Sequence, residues 1–330
     1  MKRYLYLCVI GILLIPNVTS SQEQTDVDLF IEDMLFLGGS FARPAASSAA
    51  YQASAGWFSS ATPLEKWKFN VSLQGNALFV PQSKKEFAAG NNNFKILSIM
   101  GGERNVLLPT AFGKSTDVQF EGTINYLGQT IEITEFDAID GIDKGALIYP
   151  FAQVSMGLPL GTELAVRALP ELAVDGSKFS TYGVGLKHNL TQYFQLKRRR
   201  DMFQLALAGS YNLFDVKYEF EQIAVPEVVT LNLIDVHADV WMAEVLASKK
   251  YENFEIFGAL GVTGSKFDYA FGGTGFGLPL INNAIVALED SETQFKGDVG
   301  FNLYFTNFKV STMVTAGNFF NLNLGLHFRI

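Results

Sequence analysis

The chain closes on Phe320-Asn-Leu-Asn-Leu-Gly-Leu-His-Phe-Arg-Ile330. In an extended strand, successive side chains point to opposite faces. Phe320, Leu322, Leu324, Leu326, Phe328 and Ile330 therefore share one face, and Asn321, Asn323, Gly325, His327 and Arg329 the other. The run is about twice the five or six residues usual for a strand in a soluble domain. It matches the roughly 9–11 residues that a tilted strand needs to cross a bilayer. An apolar face for lipid and a polar or small face for a lumen is the pattern of a transmembrane barrel.

The alternation recurs upstream. Trp67, Phe69, Val71 and Leu73 oppose Lys68, Asn70, Ser72 and Gln74. Phe203, Leu205, Leu207, Tyr211 and Leu213 oppose Gln204, Ala206, Ala208, Ser210 and Asn212. Phe295, Val299, Phe301, Leu303 and Phe305 oppose Gln294, Lys296, Asp298, Asn302 and Tyr304. A soluble β-sandwich alternates too, but strand length and small polar faces favour the membrane barrel. The expected fold is all-β, an antiparallel transmembrane β-barrel over residues 63–330, preceded by a non-strand segment at 22–62.

Composition agrees. Hydrophobic residues make up 48% and charged residues 18%, the latter below the roughly 25% of soluble domains. So apolar a chain is not intrinsically disordered. The single cysteine, Cys8, rules out a disulfide scaffold. A net charge of −8 argues against a nucleic-acid partner, since phosphate binding needs a basic face. Lys2 and Arg3 precede the apolar run Tyr4–Ile15, Pro16 ends it, and small residues follow to Ser21. That is a secretory signal peptide over residues 1–21, the run being short of the roughly 20 residues of a spanning helix. Export together with a strand-built membrane domain points to the outer membrane of a Gram-negative bacterium.

With the C-terminus in the periplasm, connections assign themselves by length, because such barrels keep periplasmic turns short. Leu158–Gly161, Lys249–Tyr251, Thr306-Asn307 and the longer Asn189–Asp201 fall inside. Pro170–Ser177, Lys217–Val228, Phe271–Ser291 and Gly317-Asn318 fall outside. Between the outward strand from Trp67 to Val80 and the inward strand from Leu147 to Gly157 lies Pro81–Gly145, where an even strand count requires zero, two or four more strands. Taking Phe94–Ile99 and Asp117–Tyr126 as strands gives about twelve, with ten or fourteen as the alternatives. Phe271-Gly-Gly-Thr-Gly-Phe-Gly277 lacks the lysine and helix of a phosphate loop and reads as a flexible loop tip.

Residues 22–62 do not alternate. Asp28–Leu37 carries helix-like apolar spacing, and 41–61 is rich in Ala and Ser. Such a segment either folds into the lumen as a plug or packs beneath the barrel as a periplasmic arm. Phe30, Leu35, Phe36, Phe41, Tyr51 and Trp57 are its candidate plug and pocket residues.

Asp235, His237 and Asp239 share one strand face, opposite Ile234, Val236, Ala238, Val240 and Met242. They are expected in the lumen, as a polar cluster paired with bases such as Arg167 and Lys187. Residues two apart on one strand stand about 7 Å apart, too far to ligate one ion without neighbours, so no metal is expected. The three histidines, His188, His237 and His327, lie on separate segments without a nucleophile elbow, so no catalytic residue and no cofactor is assigned. Lys197-Arg-Arg-Arg200 is read as a solvated periplasmic turn, with inner-leaflet lipid phosphate as the alternative contact of Lys197, Arg198, Arg199 and Arg200.

Gly157-Leu-Pro-Leu-Gly-Thr-Glu-Leu-Ala-Val-Arg167 and Tyr182-Gly-Val-Gly-Leu-Lys-His-Asn-Leu-Thr-Gln192 resemble segments of an uncharacterised outer-membrane barrel family of Bacteroidetes-type bacteria. The chain is also distantly similar to FadL-type hydrophobic-compound transporters. That resemblance implies gated uptake of a small hydrophobic molecule. The alternatives are a general diffusion porin and a structural or surface-binding barrel acting through its outer loops. Expected partners are outer-membrane lipids and the barrel-assembly machinery, the latter through the strand Phe320–Ile330.

Overall fold

The computed structural model describes residues 25–102, 105–126, 128–174, 177–194, 203–286 and 290–330. The signal-peptide reading and Lys197–Arg200 lie outside them. The chain opens with helix α1 (Asp26–Ser54) and enters strand β1 (Phe69–Phe79). An outer segment holds five short strands, β2 (Glu86–Ala89), β3 (Leu97–Ile99), β4 (Val106–Pro109), β5 (Gln119–Tyr126) and β6 (Gln129–Asp137). The rest is a meander: β7 (Ala146–Leu158), β8 (Thr162–Val174), β9 (Ser177–Asn189), β10 (Gln204–Val225), β11 (Val229–Tyr251), β12 (Phe254–Thr274), helix α2 (Gly277–Val286), β13 (Asp290–Tyr304), β14 (Phe308–Gly317) and β15 (Phe320–Arg329).

Ten of these strands, β1 and β7–β15, close into one antiparallel barrel. The last strand seals it: Val71 pairs with Phe328, Leu73 with Leu326, and Phe79 with Phe320 across β1 and β15. The burial pattern is inverted relative to a soluble core. On β1 the polar Asn70, Ser72, Gln74 and Asn76 are buried, while Phe69, Val71 and Leu73 are exposed. Leu260 is 76% exposed in mid-wall, and Phe295, beside the β14–β15 turn, 78%. Aromatic rings mark two levels of the outer surface. Tyr182, Tyr211, Trp241, Phe79 and Phe320 ring the upper one, and Trp67, Phe203, Tyr251, Phe305 and Phe328 the lower. The stretch from Trp241 to Tyr251 rises roughly 25 Å on a tilted strand, the apolar height a bilayer requires.

The expectation of twelve strands is corrected to ten. Phe94–Ile99 and Asp117–Tyr126 do not enter the wall; β3, β5 and β6 form a separate three-stranded sheet, and β2 pairs with β4. These short strands bury their apolar side chains, Ile99, Phe120, Ile124 and Ile133, against Phe30, Ile31 and Met34 of α1. They therefore need no lipid.

Residues Lys217–Val228, expected as a loop, are largely strand. β10, β11 and β12 run for 22, 23 and 21 residues, against 10 for β14 and β15. One side of the wall thus rises well above the upper aromatic level and carries the outer sheets and α2. The glycine-rich 271–277 is the end of β12 and the start of α2, not a free loop tip.

Helix α1 begins in a capping box, with Thr25 Oγ1 accepting from the Asp28 amide and Asp28 accepting from the Thr25 amide, an arrangement that satisfies two of the orphan donors of a helix start. Its first half packs under the outer sheets; Asp26 accepts from the amide and side chain of Asn125. Its second half descends inside the barrel. Asn76 of β1, Arg167 of β8, and Gln294 and Lys296 of β13 reach it from three different strands.

Candidate binding chamber and the plug seat

An α-helix leaves its last carbonyls without intrahelical partners, and that end carries partial negative charge. Helix α1 has no basic residue in its last turn. The barrel wall supplies them. Arg167 on β8 donates through Nη1 to the Ala55 carbonyl at 2.8 Å and the Ala53 carbonyl at 3.3 Å. Lys296 on β13 donates to the Ser54 carbonyl at 3.4 Å. Arg167 also binds Gln153 Oε1 through Nε and Nη2. Its guanidinium lies 4.1 Å from the Trp57 ring centre and 3.9 Å from that of Phe151. A weakly hydrated, planar cation suits this sandwich, and a lysine would not fill it.

The sequence makes room for Trp57 on the facing strand. A Cβ at Gly185 would stand 2.7 Å from Trp57 Cε3, and one at Gly183 would stand 2.9 Å from Cζ2. The Tyr182-Gly-Val-Gly185 pattern is therefore a cradle for the indole, while Tyr182 and Val184 of the same stretch face outward.

Below Trp57 the chain continues down the lumen under similar control. Lys187 donates to the Ser60 carbonyl and lies 2.8 Å from Glu163. Ser60 binds Glu255, Asn302 donates to the Ser59 carbonyl, and Asn189 to the Ala61 carbonyl. Lys296 completes a buried triad with Glu244 at 2.7 Å and Asp298 at 2.8 Å. Replacing such a network with apolar groups can be neutral or stabilising, so its value lies in fixing one geometry. Here that geometry holds residues 47–62 across the lumen.

Above this layer lies a cavity of about 290 Å³. Its floor and one side are Phe41, Ala42, Ala45, Ala46 and Ala49 of α1. Phe214, Val216, Ile234 and Val236 of the tall strands and Phe179 of β9 close the far side, and Ala111, Phe112 and Ile142 of the outer segment roof it. Among the described residues of the lining, Lys144 is the one Lys, Arg, His, Asp or Glu. The alanines of α1, at helical spacing, leave the volume that larger side chains would fill. A second cavity of about 400 Å³ sits at the short-turn end and is polar, lined by Ser59, Lys68, Lys250, Lys309 and Arg329 among others. The two are separated by the seat of α1.

The structure sorts the sequence-expected residues into three places. Arg167 and Lys187 face the lumen, where their partners are Gln153 and the α1 carbonyls for the one and Glu163 and Ser60 for the other, not the acidic cluster of β11. Asp235, His237 and Asp239 do not, and this expectation is corrected. They share the outward face of β11 with Trp241 and Val245, above the upper aromatic level. There His237 Nδ1 pairs with Asp215 at 2.7 Å, Lys217 with Asp235 at 3.9 Å, and Tyr211 with Asp239. The Asp215 carboxylate, by hydrogen bonding, raises the His237 pKa above the ordinary imidazole value. The opposite face, Ile234, Val236, Ala238 and Val240, packs inward on α1 and the outer sheets. The physical reason is that polarity inverts where the strand leaves the bilayer: outside becomes water, and inside becomes an apolar core.

Of the plug candidates, Phe30, Leu35 and Phe36 pack into the outer cap, where Phe36 meets Phe87 and Phe94. Phe41 lines the chamber, and Tyr51 and Trp57 sit buried in the lumen.

Sequence reasoning missed Asp33, buried in α1 and accepting from the amides of Lys95, Ile96 and Leu97 at 2.8 Å each. Its partners lie some sixty residues away, and no local pattern announces them. It also missed Tyr149 and Phe179, which lie on β7 and β9 where those strands reach the apolar chamber.

Among solved structures, the chain is similar to the translocator domain of the autotransporter NalP from Neisseria meningitidis, at 9% identity and a TM-score of 0.35, covering 94% of this chain and 100% of that one. It is also similar to the COG4313 outer membrane channel from Pseudomonas putida F1, at 12% identity and a TM-score of 0.26, covering 82% and 97%. A third is Ail, the attachment invasion locus protein of Yersinia pestis, at 10% identity and a TM-score of 0.27, covering 81% and 100%. No curated protein matches the chain. A family model matches residues 1–330, and by that match the chain belongs to a family of unknown function, DUF6588.

Proposed function

We propose that the protein is an outer-membrane transporter of a Gram-negative bacterium. It takes up a small hydrophobic molecule through a lumen gated by its N-terminal segment. The observation that carries this reading is the apolar chamber of about 290 Å³ above the seat of α1. Concave, mostly apolar sites of this size with few polar groups are the usual form of small-ligand pockets. The distant likeness of Tyr182–Gln192 to hydrophobic-compound transporters points the same way. A diffusion porin needs a continuous water path, whereas here residues 47–62 are bonded across the lumen by wall residues on several sides. The polar cavity at the short-turn end would receive the ligand after the seat releases.

The chamber is tested by adding an apolar fluorophore, such as a naphthylamine dye, to the purified barrel in detergent. Ala46→Trp fills the chamber from α1 and is expected to abolish the binding seen for the unaltered protein. Equal binding by both would place the dye elsewhere and remove the chamber as the site. Gating is tested by planar-bilayer recording. The intact protein is expected to be nearly silent, and deletion of residues 22–61 to raise conductance sharply. Large steady conductance from the intact protein would favour a porin.

A further inference from the structure

We propose that the polar cavity at the short-turn end is a binding site for a phosphate monoester group, held by Lys68, Lys250, Lys309 and Arg329. This goes beyond the uptake reading and does not depend on it, because the cavity lies below the seat of α1 and the apolar chamber above it.

The first observation is placement. β1, β15, β14 and β13 are neighbours in the wall. At their short-turn ends Asn70 pairs with Arg329, and Lys309 pairs with His327 on one side and Tyr304 on the other. The register thus brings five polar side chains from four strands to one end of the lumen, where all of them line the cavity of about 400 Å³. Lys68, just before β1, and Lys250, at the end of β11, line it as well.

The second observation is unbalanced charge. Five Lys or Arg side chains line the cavity, against the two carboxylate side chains of Glu65 and Glu163. Glu163 is taken by Lys187 at 2.8 Å. Ile330 is also in the lining, and its terminal carboxylate offsets one more cation. An excess of two positive charges remains. Among the described residues, none of Lys68, Lys250, Lys309 and Arg329 forms an ion pair with a carboxylate.

The third is the state of these cations. Lys309 is 7% exposed, and its ammonium donates to the Ser59 hydroxyl at 2.7 Å. An ammonium has three donors, so two are left to spend. Glu255, across the lumen end on β12, commits its oxygens to Ser60, Asn302 and Tyr304. A buried ammonium without a counter-ion is costly, and this wall supplies none. At the mouth, Lys250 and Arg329 are both exposed and both lie over the Tyr304 ring, at 4.0 and 4.8 Å from its centre. One ring gathers two like charges, which repel until an anion joins them.

Charge selects the class of ligand. A phosphate monoester carries about −1.5 to −2 near neutral pH, which matches the excess, whereas a carboxylate carries one charge. Arginine offers a fork to two phosphate oxygens, and lysines add point charges around it. The volume lies in the range of small-ligand pockets, roughly 300–1,000 Å³, so an organic body fits beside the phosphate. The ester is either soluble in the periplasm or the headgroup of an inner-leaflet lipid, since the site is level with the lower aromatic residues.

The test is calorimetric titration of the full chain in non-ionic detergent and phosphate-free buffer. The probes are glycerol 3-phosphate and dihexanoyl phosphatidic acid. Saturable binding that weakens with added salt is expected for at least one. Binding of glycerol 3-phosphate assigns a soluble ester, and binding of phosphatidic acid alone assigns a lipid headgroup. Lys250→Gln/Arg329→Gln, at exposed positions, and Lys309→Met are each expected to weaken binding at least about tenfold, the worth of a charge-assisted contact. Lys217→Gln, whose lysine pairs with Asp235 on the outer surface, should leave it unchanged. Heat-modifiable migration on gels verifies that each barrel is folded. Absence of binding by both probes, or binding that the double variant leaves unchanged, overturns the site. Acetate bound as tightly as the esters overturns the phosphate class. Fluorophore binding in the chamber should persist in the double variant; its loss there would mean that the substitutions disturb the whole lumen, and the assignment to this cavity would fall.

Discussion

Arg167→Met is the sharpest probe of how the lumen is held shut. Methionine keeps most of the bulk between Trp57 and Phe151, so the cavity term is small. What it loses is the donor set. The carbonyls of Ala53 and Ala55 and Oε1 of Gln153, all buried, are left without the guanidinium. A buried acceptor stripped of its partner costs about 1–3 kcal/mol. The Ala53 carbonyl keeps the Trp57 indole N–H at 3.0 Å, so two acceptors are orphaned, and at the low end they come to about 2 kcal/mol, before any relief from no longer burying a charge. Since about 1.4 kcal/mol is tenfold in an equilibrium, the ratio of seated to released α1 should fall by about thirtyfold. The barrel ladder is untouched, so heat-modifiable migration on gels should remain that of the folded form. Single-channel recording should show openings in Arg167→Met where the unaltered protein is silent. Protease should also cut between residues 55 and 62, which the seat otherwise covers. A variant as silent and as protected as the parent would refute the idea that these three acceptors hold the segment. Arg167→Lys should behave more like Met than like Arg, because an ammonium can neither stack between the rings nor reach all three acceptors at once.

Four other expectations follow from particular residues. Leu260→Arg puts a charge in mid-wall on a side chain 76% exposed; in lipid it should cost about 2–4 kcal/mol in refolding titrations, whereas an exposed site in water would show almost no change. Phe328→Asp, on the outward face near the lower aromatic level, should reduce the folded yield in outer membranes, and a normal yield would remove the last strand as an assembly signal. Asp33→Ala leaves three amides of the outer segment without an acceptor, about 3 kcal/mol at the low end, so limited proteolysis should cut within 80–145 far sooner than in the parent. His237 is held above its ordinary pKa by Asp215. Its pairing therefore contributes fully below the ordinary imidazole value of 6.5 and is lost as pH rises through the raised one. Asp215→Asn should move the imidazole titration, followed by NMR in micelles, back toward acid; an unmoved midpoint would mean that Asp215 does not set it.

The alternation in this chain carried the barrel because alternation is a local property. Phe69, Val71 and Leu73 against Asn70, Ser72 and Gln74 fix two faces of opposite polarity whatever the rest of the chain does, and only a bilayer rewards an apolar outer face of that length. The short-turn and long-loop ends follow from spacing along the same strands. The parity of Asp235, His237 and Asp239 was equally legible, since they share it with Trp241 and Val245. What failed was the assumption that one face keeps one environment. The tall strands cross from lipid into water at Trp241, and their two faces exchange roles there.

Ten strands in place of twelve, the seating of α1 in the lumen and the chamber depend on pairings between residues far apart in the chain. Phe94–Ile99 reads as a strand in either setting, and only the apolar face of α1 above the barrel claims it for the cap. Local chemistry determined which side chains can meet lipid or water; the closed ladder determined which of them meet each other, because non-local contacts are fixed only when the whole wall is assembled.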